Sequence, residues 1–466
     1  MITVVEPKKY ISSLWSNHKI SEDEMYRLMQ YVIKLEYKEK VILHNVVTGH
    51  LAILKQDEID AISQLPMAYV APMKQLIDEH FLVPVSFDEH KKVLGIRKVL
   101  RKLSCTNSEK PIISYTILPT TACNARCYYC FEKGAKIVTM TEDTANDVTQ
   151  YISEHCGEKK SVHISWFGGE PTVAQNRIDQ ICEGLQEKEI NYWSEITTNG
   201  YLFDEDLVKH ASSLWNLQSV MISLDGTENS YNAIKAYVNA KDNPYQRVLR
   251  NVGYFLENQI HVNLRMNFDL SNYDEFPELV NELIKRFGKH PYLHVRAHPI
   301  NGEYKDQKGK ILHGTDEWFE RKVNELNEIA RKVGLQKSTR ELPFLRYEGC
   351  EANDDSSVTI SAEGTLVRCC EQFDENQTTG NLKDGIIYPE RVRAWKEFAD
   401  YEKCFGCMLY PRCNRLVLCS SKDRCNYYLE MVTLINNTII QLVNAFIIRN
   451  DNNQVFKHSG DMSRTV

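Results

Sequence analysis

Residues 113–134 read ISYTILPTTACNARCYYCFEKG and place three cysteines directly after a predicted strand. Their spacing is Cys123-x3-Cys127-x2-Cys130, so three thiolates lie within one short loop. Three such ligands can hold three irons of a [4Fe-4S] cube and leave the fourth iron without a protein ligand. Zinc is the alternative, but zinc prefers four closed ligands, and no fourth Cys or His is near in the sequence. The stretch predicts an iron-sulfur cluster with an open iron.

Repeated βα patterns follow this loop. From Ile112 to about Lys332, short β-branched segments alternate with helical patterns, and the segments read ISYTIL, VHISWF, YWSEITTN, SVMISLD, HVNLRMNF and YLHVRA. This rhythm predicts an α/β fold with a parallel sheet, and six strands favour an open, partial (β/α)6 TIM-like barrel. Reactive side chains are expected at the C-terminal ends of the strands, where the cysteine loop lies.

The first hundred residues predict a separate α+β unit. A capping box from Ser21 to Glu24 predicts an amphipathic helix there, and VILHN and HLAIL flank a Thr-Gly turn that is typical of a hairpin. Two short helices, the β-rich segment FLVPVSF and a charged connector helix from His90 to Lys102 follow. The expected division of the chain is therefore 1–104 for this unit and connector, 105–335 for the barrel, 336–426 for a cysteine-rich domain, and 427–466 for a C-terminal helix and tail.

The cysteine-rich region holds a second set of thiols. Its eight cysteines are Cys350, Cys369, Cys370, Cys404, Cys407, Cys413, Cys419 and Cys425, and Gly364 precedes the second of them. These are too many for one closed zinc site, whereas eight thiolates would serve two [4Fe-4S] clusters. The N-terminal sequence MITVVEPKKY lacks the pattern of a secretory signal, so a reducing, cytoplasmic location is expected and disulfides are not the default.

Charge and hydropathy exclude some classes of partner. The formal net charge of -7 is spread along the chain without a basic stripe, which gives no account of nucleic-acid or membrane binding. The apolar stretch from Val432 to Ile448 contains three Asn and one Gln, whose burial in hydrocarbon would be costly. A docked C-terminal helix is expected there, and small molecules or peptides are the expected partners.

The cysteine loop resembles the signature of the radical S-adenosylmethionine (SAM) superfamily, in which an aromatic residue precedes the last cysteine, as Tyr129 does here. The resemblance implies that the open iron binds SAM and that SAM is cleaved to a 5'-deoxyadenosyl radical. Other residues match SAM-contacting positions of that family at successive strand ends. They are Gly168, Gly169, Glu170 and Pro171 of the GGEP motif, Asn199 of TTNG, Ser223 of SLDG and Arg265 of LRMN.

The second set of cysteines resembles the SPASM extension of radical SAM peptide maturases. The resemblance implies two auxiliary clusters, one held by Cys350, Cys369 and Cys419, and the other by Cys404, Cys407, Cys413 and Cys425. In that family the spacing before the penultimate cysteine is usually shorter than the five residues that separate Cys413 from Cys419. The first auxiliary cluster lacks an obvious fourth ligand. Either Cys370 completes it, or one iron stays open and could bind a substrate thiolate.

The N-terminal unit resembles the winged-helix-like leader-recognition domain of ribosomal-peptide maturases, which takes a precursor's leader as an added strand. The resemblance implies a maturase that abstracts hydrogen from a precursor peptide and forms a cross-link, most simply a thioether, with ferredoxin or flavodoxin as electron donor. One alternative is a protein-modifying dehydrogenase like the anaerobic sulfatase maturases, although Cys370 stands where those enzymes carry a catalytic Asp. Another is a non-enzymatic zinc or electron-carrier protein, and an N-terminal unit that only supports the barrel also stays open.

Overall fold

The structure is a computed structural model. It describes residues 1–15, 20–21, 23–105, 110–300, 303–305, 311–313, 317–336, 342–345, 350–372, 375–398, 402–413, 416–419, 432 and 435–449, with the side chains of 101–105, 303–305, 311–313, 317, 320 and 403 left aside. Within this part of the chain, no helix is both long enough and apolar enough to cross a membrane.

The N-terminal unit contains two small antiparallel sheets and several helices. Its elements are β1 (Ile2–Val5), α1 (Lys9–Leu14), β2 (Met25–Leu28), β3 (Val32–Tyr37), β4 (Lys40–Asn45), β5 (Leu51–Ile53), α2 (Gln56–Ile62), β6 (Met67–Ala68), α3 (Lys74–Asp78), β7 (Leu82–Pro84) and α4 (Glu89–Cys105). One sheet has the order β1-β5-β4-β3 and the other the order β6-β2-β7. The predicted hairpin is β4 and β5, which pair antiparallel.

The helix predicted to begin near Ser21 and Glu24 is wrong, because the residues that follow form β2 and β3. The backbone N–H of Ser21 donates to the hydroxyl of Tyr26, 3.0 Å away, instead of opening a helix. The stretch VIKLEY that follows alternates between apolar and polar residues, which is the period of a strand. Tyr26 is fully buried in the core of the unit.

Six parallel strands form the barrel, as the sequence predicts. The elements of this part are β8 (Ser114–Thr120), α5 (Glu142–His155), β9 (Ser161–Gly168), α6 (Gln175–Glu187), β10 (Asn191–Thr198), α7 (Glu205–Ser213), β11 (Leu217–Ser223), α8 (Glu228–Lys235), α9 (Pro244–Glu257), β12 (His261–Phe268), α10 (Phe276–Phe287), β13 (Leu293–Pro299), β14 (Glu303–Lys305), β15 (Ile311–His313) and α11 (Glu317–Val333). Strands β8 to β13 each pair parallel with the next.

Successive side chains of these strands alternate between the hydrophobic core and the opposite face of the sheet. Ile164, Val220 and Leu264 are buried in the hydrophobic core that the barrel helices cover. Ser223 and Arg265, which pair in register on β11 and β12, alternate with them and are only partly buried. Since successive side chains of a strand point to opposite faces, these polar residues share the face away from the helices.

The cysteine-rich region continues the barrel sheet. Its elements are β16 (Ser357–Ile360), β17 (Thr365–Val367), β18 (Gly380–Asn381), β19 (Gly385–Ile386), α12 (Pro389–Ala394) and α13 (435–449). Strand β16 pairs parallel with β8, and β17 to β19 extend the sheet from it. The expected C-terminal helix is α13, which packs Ile435, Ile439 and Val443 into the core of the N-terminal unit.

Two buried histidines of the N-terminal unit have lowered pKa values. Burial lowers the pKa of His44 to about 4, although its ring nitrogens lie 2.9 Å from the carbonyl oxygen of Pro343 and 3.2 Å from that of His50. Burial, with repulsion from His80, also lowers the pKa of His50 to about 4. The Glu79 carboxylate, 3.2 Å from His50, is an acidic group that faces this ring.

We predict that the N-terminal unit loses stability as the pH falls from about 6.5 to about 4. The unfolded chain binds protons on both histidines at a higher pH than the folded chain does, so protonation favours unfolding by up to about 3 kcal/mol per histidine. The measurement is hydrogen exchange of β4 and β5 near pH 7 and near pH 5, corrected for intrinsic rates. In a His50→Gln variant the pH dependence should be shallower, and an equal dependence in the variant and the wild type would contradict the assignment.

Candidate active site

The loop that carries Cys123, Cys127 and Cys130 is closed by hydrogen bonds at its two ends. The N–H of Thr121 donates to the carbonyl oxygen of Val138 at 2.9 Å, and the N–H of Val138 donates to the hydroxyl of Thr121 at 2.8 Å. Inside the loop, the N–H of Cys130 donates to the carbonyl oxygen of Cys127 at 3.2 Å. The loop therefore holds the three thiols together at the C-terminal end of β8.

The three thiols are close enough for their charges to interact. Burial, together with negative charge on Glu170, Cys127 and Cys130, raises the pKa of Cys123 to about 11. A cationic group bound between these thiols would relieve this repulsion and favour the thiolates, so the donor set fits a metal cluster. Among the described residues, no three His, Cys, Asp or Glu side chains are arranged to hold one metal ion. A cube needs no such convergence, because each thiolate binds a separate iron.

Gly168 and Gly169 follow β9 and lie against the backbone of the cysteine loop. The N–H of Gly169 donates to the carbonyl oxygen of Thr120 at 3.1 Å. A Cβ atom on Gly168 would lie 2.3 Å from that same oxygen, and one on Gly169 would lie 2.5 Å from the carbonyl oxygens of Thr121 and Ala122. The two glycines are therefore required because one backbone packs directly on another.

Glu170 is fully buried and joins the ends of β9 and β10. Its carboxylate accepts hydrogen bonds from the hydroxyl of Thr172 at 2.5 Å, the hydroxyl of Thr198 at 2.7 Å and the N–H of Asn199 at 2.8 Å. Burial raises its pKa, and these hydrogen bonds oppose the rise. The side-chain amide of Asn199 in turn donates to Asn124 in the cysteine loop at 2.7 Å. Glu170 and Asn199 thus hold the loop in place, and Pro171 starts the 3-10 turn Pro171–Ala174 beside them.

Tyr129 belongs to a buried polar network beneath the cysteine loop. Its hydroxyl donates to the carboxylate of Asp225. The ammonium of Lys235 lies 2.8 Å from the same carboxylate, and donates to the hydroxyl of Ser223 at 2.6 Å and to that of Tyr129 at 3.1 Å. The side-chain amide of Asn267 also donates to the Tyr129 hydroxyl, at 3.1 Å. The network thus holds Tyr129, which directly precedes Cys130, in one position.

The sequence analysis did not identify Asp225 and Lys235, whose exposed fractions are 0% and 2%. Asp225 follows β11 in the stretch SLDG, so its position at a strand end was the available signal. Lys235 ends α8 and carries no signal, because a single Lys at a helix end is ordinarily solvated. Nearby negative charge, that of Asp225 above all, keeps the pKa of Lys235 raised well above its usual value against the effect of burial. The carbonyl oxygen of Lys235 also accepts the N–H of Arg126 from the cysteine loop, at 2.8 Å.

Arg265 lies near the end of β12, beside Ser223 on one strand and Arg296 on the other. Its Nε atom is buried and meets no hydrogen-bond partner in the part of the chain that the structure describes. A buried guanidinium donor that lacks a partner is costly unless a bound group supplies one. The position therefore fits an anionic group, such as a carboxylate, at the C-terminal edge of the sheet.

Four cysteines of the second region lie together. Cys369 and Cys419 pack against a small core formed by Ala352, Trp395 and Leu416. Burial, together with negative charge that includes that of Cys350, raises the pKa of Cys369 to about 11 and that of Cys370 to about 12. The structure thus brings Cys350, Cys369, Cys370 and Cys419 into one group.

Arg368 fixes the position of this group relative to β16. Its buried guanidinium donates to the carbonyl oxygens of Ala352 at 2.9 Å and Ser357 at 2.8 Å, in the segment that follows Cys350. Because Arg368 directly precedes Cys369, these bonds set the distance between the two cysteine segments.

Cys404, Cys407 and Cys413 form the other group, in two short turns. The N–H of Cys407 donates to the carbonyl oxygen of Cys404 at 3.0 Å, and the N–H of Cys413 donates to that of Tyr410 at 3.1 Å. Cys425, predicted as the fourth ligand, lies outside the described residues.

Residues 117–283, from β8 into α10, match the family model of the Radical SAM superfamily. The chain contains a radical SAM domain. Such a domain binds a [4Fe-4S] cluster and SAM, and its residues are those that form the barrel and the cysteine loop. The resemblance of the cysteine loop to the radical SAM superfamily and the predicted TIM-like α/β fold are thus confirmed.

Three relatives place this radical SAM domain among known proteins. GTP 3',8-cyclase of Clostridium perfringens (strain SM101 / Type A) is 26% identical over 302 residues, which are 61% of this chain and 88% of that protein. Radical SAM cyclopropyl synthase TigE of Paramaledivibacter caminithermalis is 22% identical over 369 residues, 72% of each chain. The structure of native anSMEcpe with bound AdoMet and Cp18Cys peptide has a TM-score of 0.54 at 18% identity, and covers 72% of this chain and 99% of that one. The last similarity shows a shared fold.

We predict that Gly169→Ala displaces the cysteine loop, since the added methyl would lie 2.5 Å from two carbonyl oxygens. After anaerobic reconstitution the variant should hold about four irons fewer per chain than the wild type. The matched control is Gly253→Ala in α9, where the new methyl would meet its nearest atom at 3.7 Å. Equal iron content in all three proteins would contradict the close contact.

We predict that Lys235→Met destabilises the barrel by about 3 to 5 kcal/mol, because Asp225 is left as a buried charge without its cation. Denaturant unfolding of the metal-free chain measures the loss. Lys241→Met, at an exposed lysine nearby in sequence, should change stability by less than about 0.5 kcal/mol. A loss as small in Lys235→Met as in the control would show that the ion pair contributes little.

Proposed function

We propose that this protein is a radical SAM peptide maturase, which abstracts hydrogen from a ribosomally made precursor peptide and forms a cross-link, most simply a thioether. The observation that carries the radical chemistry is the loop of three thiols packed on Gly168 and Gly169 at the C-terminal edge of six parallel strands. That edge is where an α/β sheet of this kind places its reactive groups.

The residues at this edge have distinct roles in the proposal. Cys123, Cys127 and Cys130 would hold the cluster, which together with SAM supplies a 5'-deoxyadenosyl radical. Arg265 would bind the SAM carboxylate through the donor that lacks a partner in the described residues. Ser223 would donate to SAM, because its oxygen already accepts from Lys235 and its own proton stays available.

The backbone of the GGEP motif can meet the SAM amino group only through acceptors. The N–H of Gly169 and the N–H of Glu170 already donate to the cysteine loop, at 3.1 and 2.8 Å. Their carbonyl oxygens are the groups left for an ammonium. We therefore assign to Glu170 the role of positioning both the cysteine loop and Asn199. Tyr129 fixes the backbone beside Cys130.

Two auxiliary clusters complete the proposed set of three. The grouping of Cys350, Cys369, Cys370 and Cys419 supports one cluster, and that of Cys404, Cys407 and Cys413 supports the other, with Cys425 as its fourth ligand. Either Cys370 is the fourth ligand of the first cluster, or one iron of that cluster stays open to a substrate thiolate. A crystal structure of the iron-loaded protein with Cys370 bound to iron would exclude the open iron.

The N-terminal unit is the proposed site for the leader of the precursor. Its four-stranded sheet, β1-β5-β4-β3, ends at β3, and within the described residues no strand pairs with the outer edge of β3. An extended peptide could add there as a further strand through main-chain hydrogen bonds. A protein of the same fold, anSMEcpe, has been seen with a bound peptide, which makes a peptide the first substrate class to test.

Two other activities remain candidates. The similarity to GTP 3',8-cyclase favours a test of GTP as substrate. The peptide-oxidising dehydrogenase weighed in the sequence analysis is the other, although Cys370 directly follows Cys369 where the sequence pattern of sulfatase maturases has an Asp.

The deciding experiment is an anaerobic assay of the reconstituted protein with SAM and dithionite. We expect about twelve irons per chain and formation of 5'-deoxyadenosine. A Cys127→Ala variant should lose about four irons and all SAM cleavage. Zinc in place of iron, or no SAM cleavage by the wild type, would refute the radical enzyme.

The substrate is then resolved by adding short peptides encoded beside the gene, or GTP. A thioether product has lost two hydrogen atoms and has a cysteine that iodoacetamide no longer alkylates. A product that reacts with a hydrazide indicates an aldehyde and the dehydrogenase activity. Consumption of GTP, with every peptide unchanged, would overturn the peptide maturase.

A further inference from the structure

Helix α4 of the N-terminal unit packs against the segment that carries Cys404, Cys407 and Cys413. Leu409 and Tyr410 of that segment lie in the same hydrophobic core as Val93 and Ile96 of α4. The ring of His90 lies 4.7 Å from that of Tyr410. The N-terminal unit and this cysteine segment are therefore packed as one body.

Arg97 of α4 is buried in this contact. It is 7% exposed, and its guanidinium carbon lies 4.8 Å from the ring centre of Phe398 and 4.8 Å from that of Tyr410. Its Nη1 atom donates to the carbonyl oxygen of Tyr410 at 2.7 Å. A planar guanidinium suits this arrangement, because it can contact aromatic faces and donate hydrogen bonds in its own plane.

The two rings belong to different cysteine groups. Phe398 pairs with Leu416 and packs into the small core that also contacts Cys369 and Cys419. Tyr410 lies between Cys407 and Cys413 in the chain.

Tyr410 is bonded directly to both of its neighbouring cysteines. Its N–H donates to the carbonyl oxygen of Cys407 at 3.0 Å. Its own carbonyl oxygen accepts from the N–H of Cys413 at 3.1 Å, as well as from Arg97. One side chain from the N-terminal unit thus contacts an aromatic residue next to each group of auxiliary cysteines.

We propose that Arg97 is a positioning residue that fixes the two auxiliary cysteine groups relative to each other and supplies a positive charge between them. The inference rests on the proposed pair of auxiliary clusters. The reduction potential of an iron-sulfur cluster depends on nearby charge and hydrogen bonds, and a cation favours the reduced form. Arg97 therefore raises the potentials of both clusters and holds their separation constant.

The test compares Arg97→Met and Arg97→Lys with wild type in the reconstituted full-length protein. The readouts are iron content, potentiometric titration of the auxiliary signals, and magnetic coupling between the reduced clusters in electron paramagnetic resonance. Arg97→Met should shift both auxiliary signals to lower potential and weaken the coupling. Arg97→Lys keeps the charge without the planar group, so it should recover most of the potential and little of the coupling.

Two controls separate this role from a general loss of docking. Lys98→Met removes an exposed charge next to Arg97 and should leave every signal unchanged. Gln30→Leu removes a different contact of the N-terminal unit with this segment, the 2.7 Å hydrogen bond from the Gln30 side-chain amide to the carbonyl oxygen of Phe405, so it should affect the cluster of Cys404, Cys407 and Cys413 and leave the other cluster unchanged.

The outcomes distinguish the inference from the proposed function. Twelve irons in the wild type, with potentials and coupling in Arg97→Met equal to those of Lys98→Met, would overturn the role of Arg97 and leave the clusters standing. About four irons in the wild type would overturn the auxiliary clusters themselves, and the inference with them. If Arg97→Met does not fold, Arg97→Lys decides: unaltered coupling in that variant overturns the role of the planar group.

Discussion

The candidate active site depends on the close contact between the backbone of Gly168 and Gly169 and the backbone of the cysteine loop. Gly168 and Gly169 approach Thr120 and Ala122 so closely that no side chain fits between them. This contact brings the end of β9 against the loop that follows β8, and it fixes where three thiols can stand. Because main-chain atoms make the contact, its geometry varies little, as binding a cluster and SAM in one fixed arrangement requires.

Two buried carboxylates support that contact by different means. Glu170 meets only neutral donors, the hydroxyls of Thr172 and Thr198 and the N–H of Asn199, whereas Asp225 is paired with the ammonium of Lys235. Each carboxylate joins a strand end to the cysteine loop, Glu170 through Asn199 and Asp225 through Tyr129. A buried charge is tolerated only when its partners are in place, so these networks favour one arrangement of the loop.

The parts of the chain are joined more closely than a row of separate modules would be. Strand β16 extends the barrel sheet from β8, so the first auxiliary cysteines start from the edge of the barrel. The N-terminal unit, the segment of Cys404 to Cys413 and α13 share one hydrophobic core. Under the proposed function, a peptide bound by the N-terminal unit would lie on the same body as the cysteines of that segment.

The sequence by itself determined the six βα units, the loop of three thiols and the positions of the strand-end motifs, because each is a local pattern of period, spacing or turn residues. It did not determine the structure of residues 23–37, where the capping box predicts a helix but β2 and β3 form instead and Tyr26 is buried. Lys235 and Arg97 emerged only from the tertiary structure. Each meets its partners across ten to several hundred residues of chain, and a single Lys or Arg carries no sign in the sequence of which buried carboxylate or carbonyl oxygen it will meet.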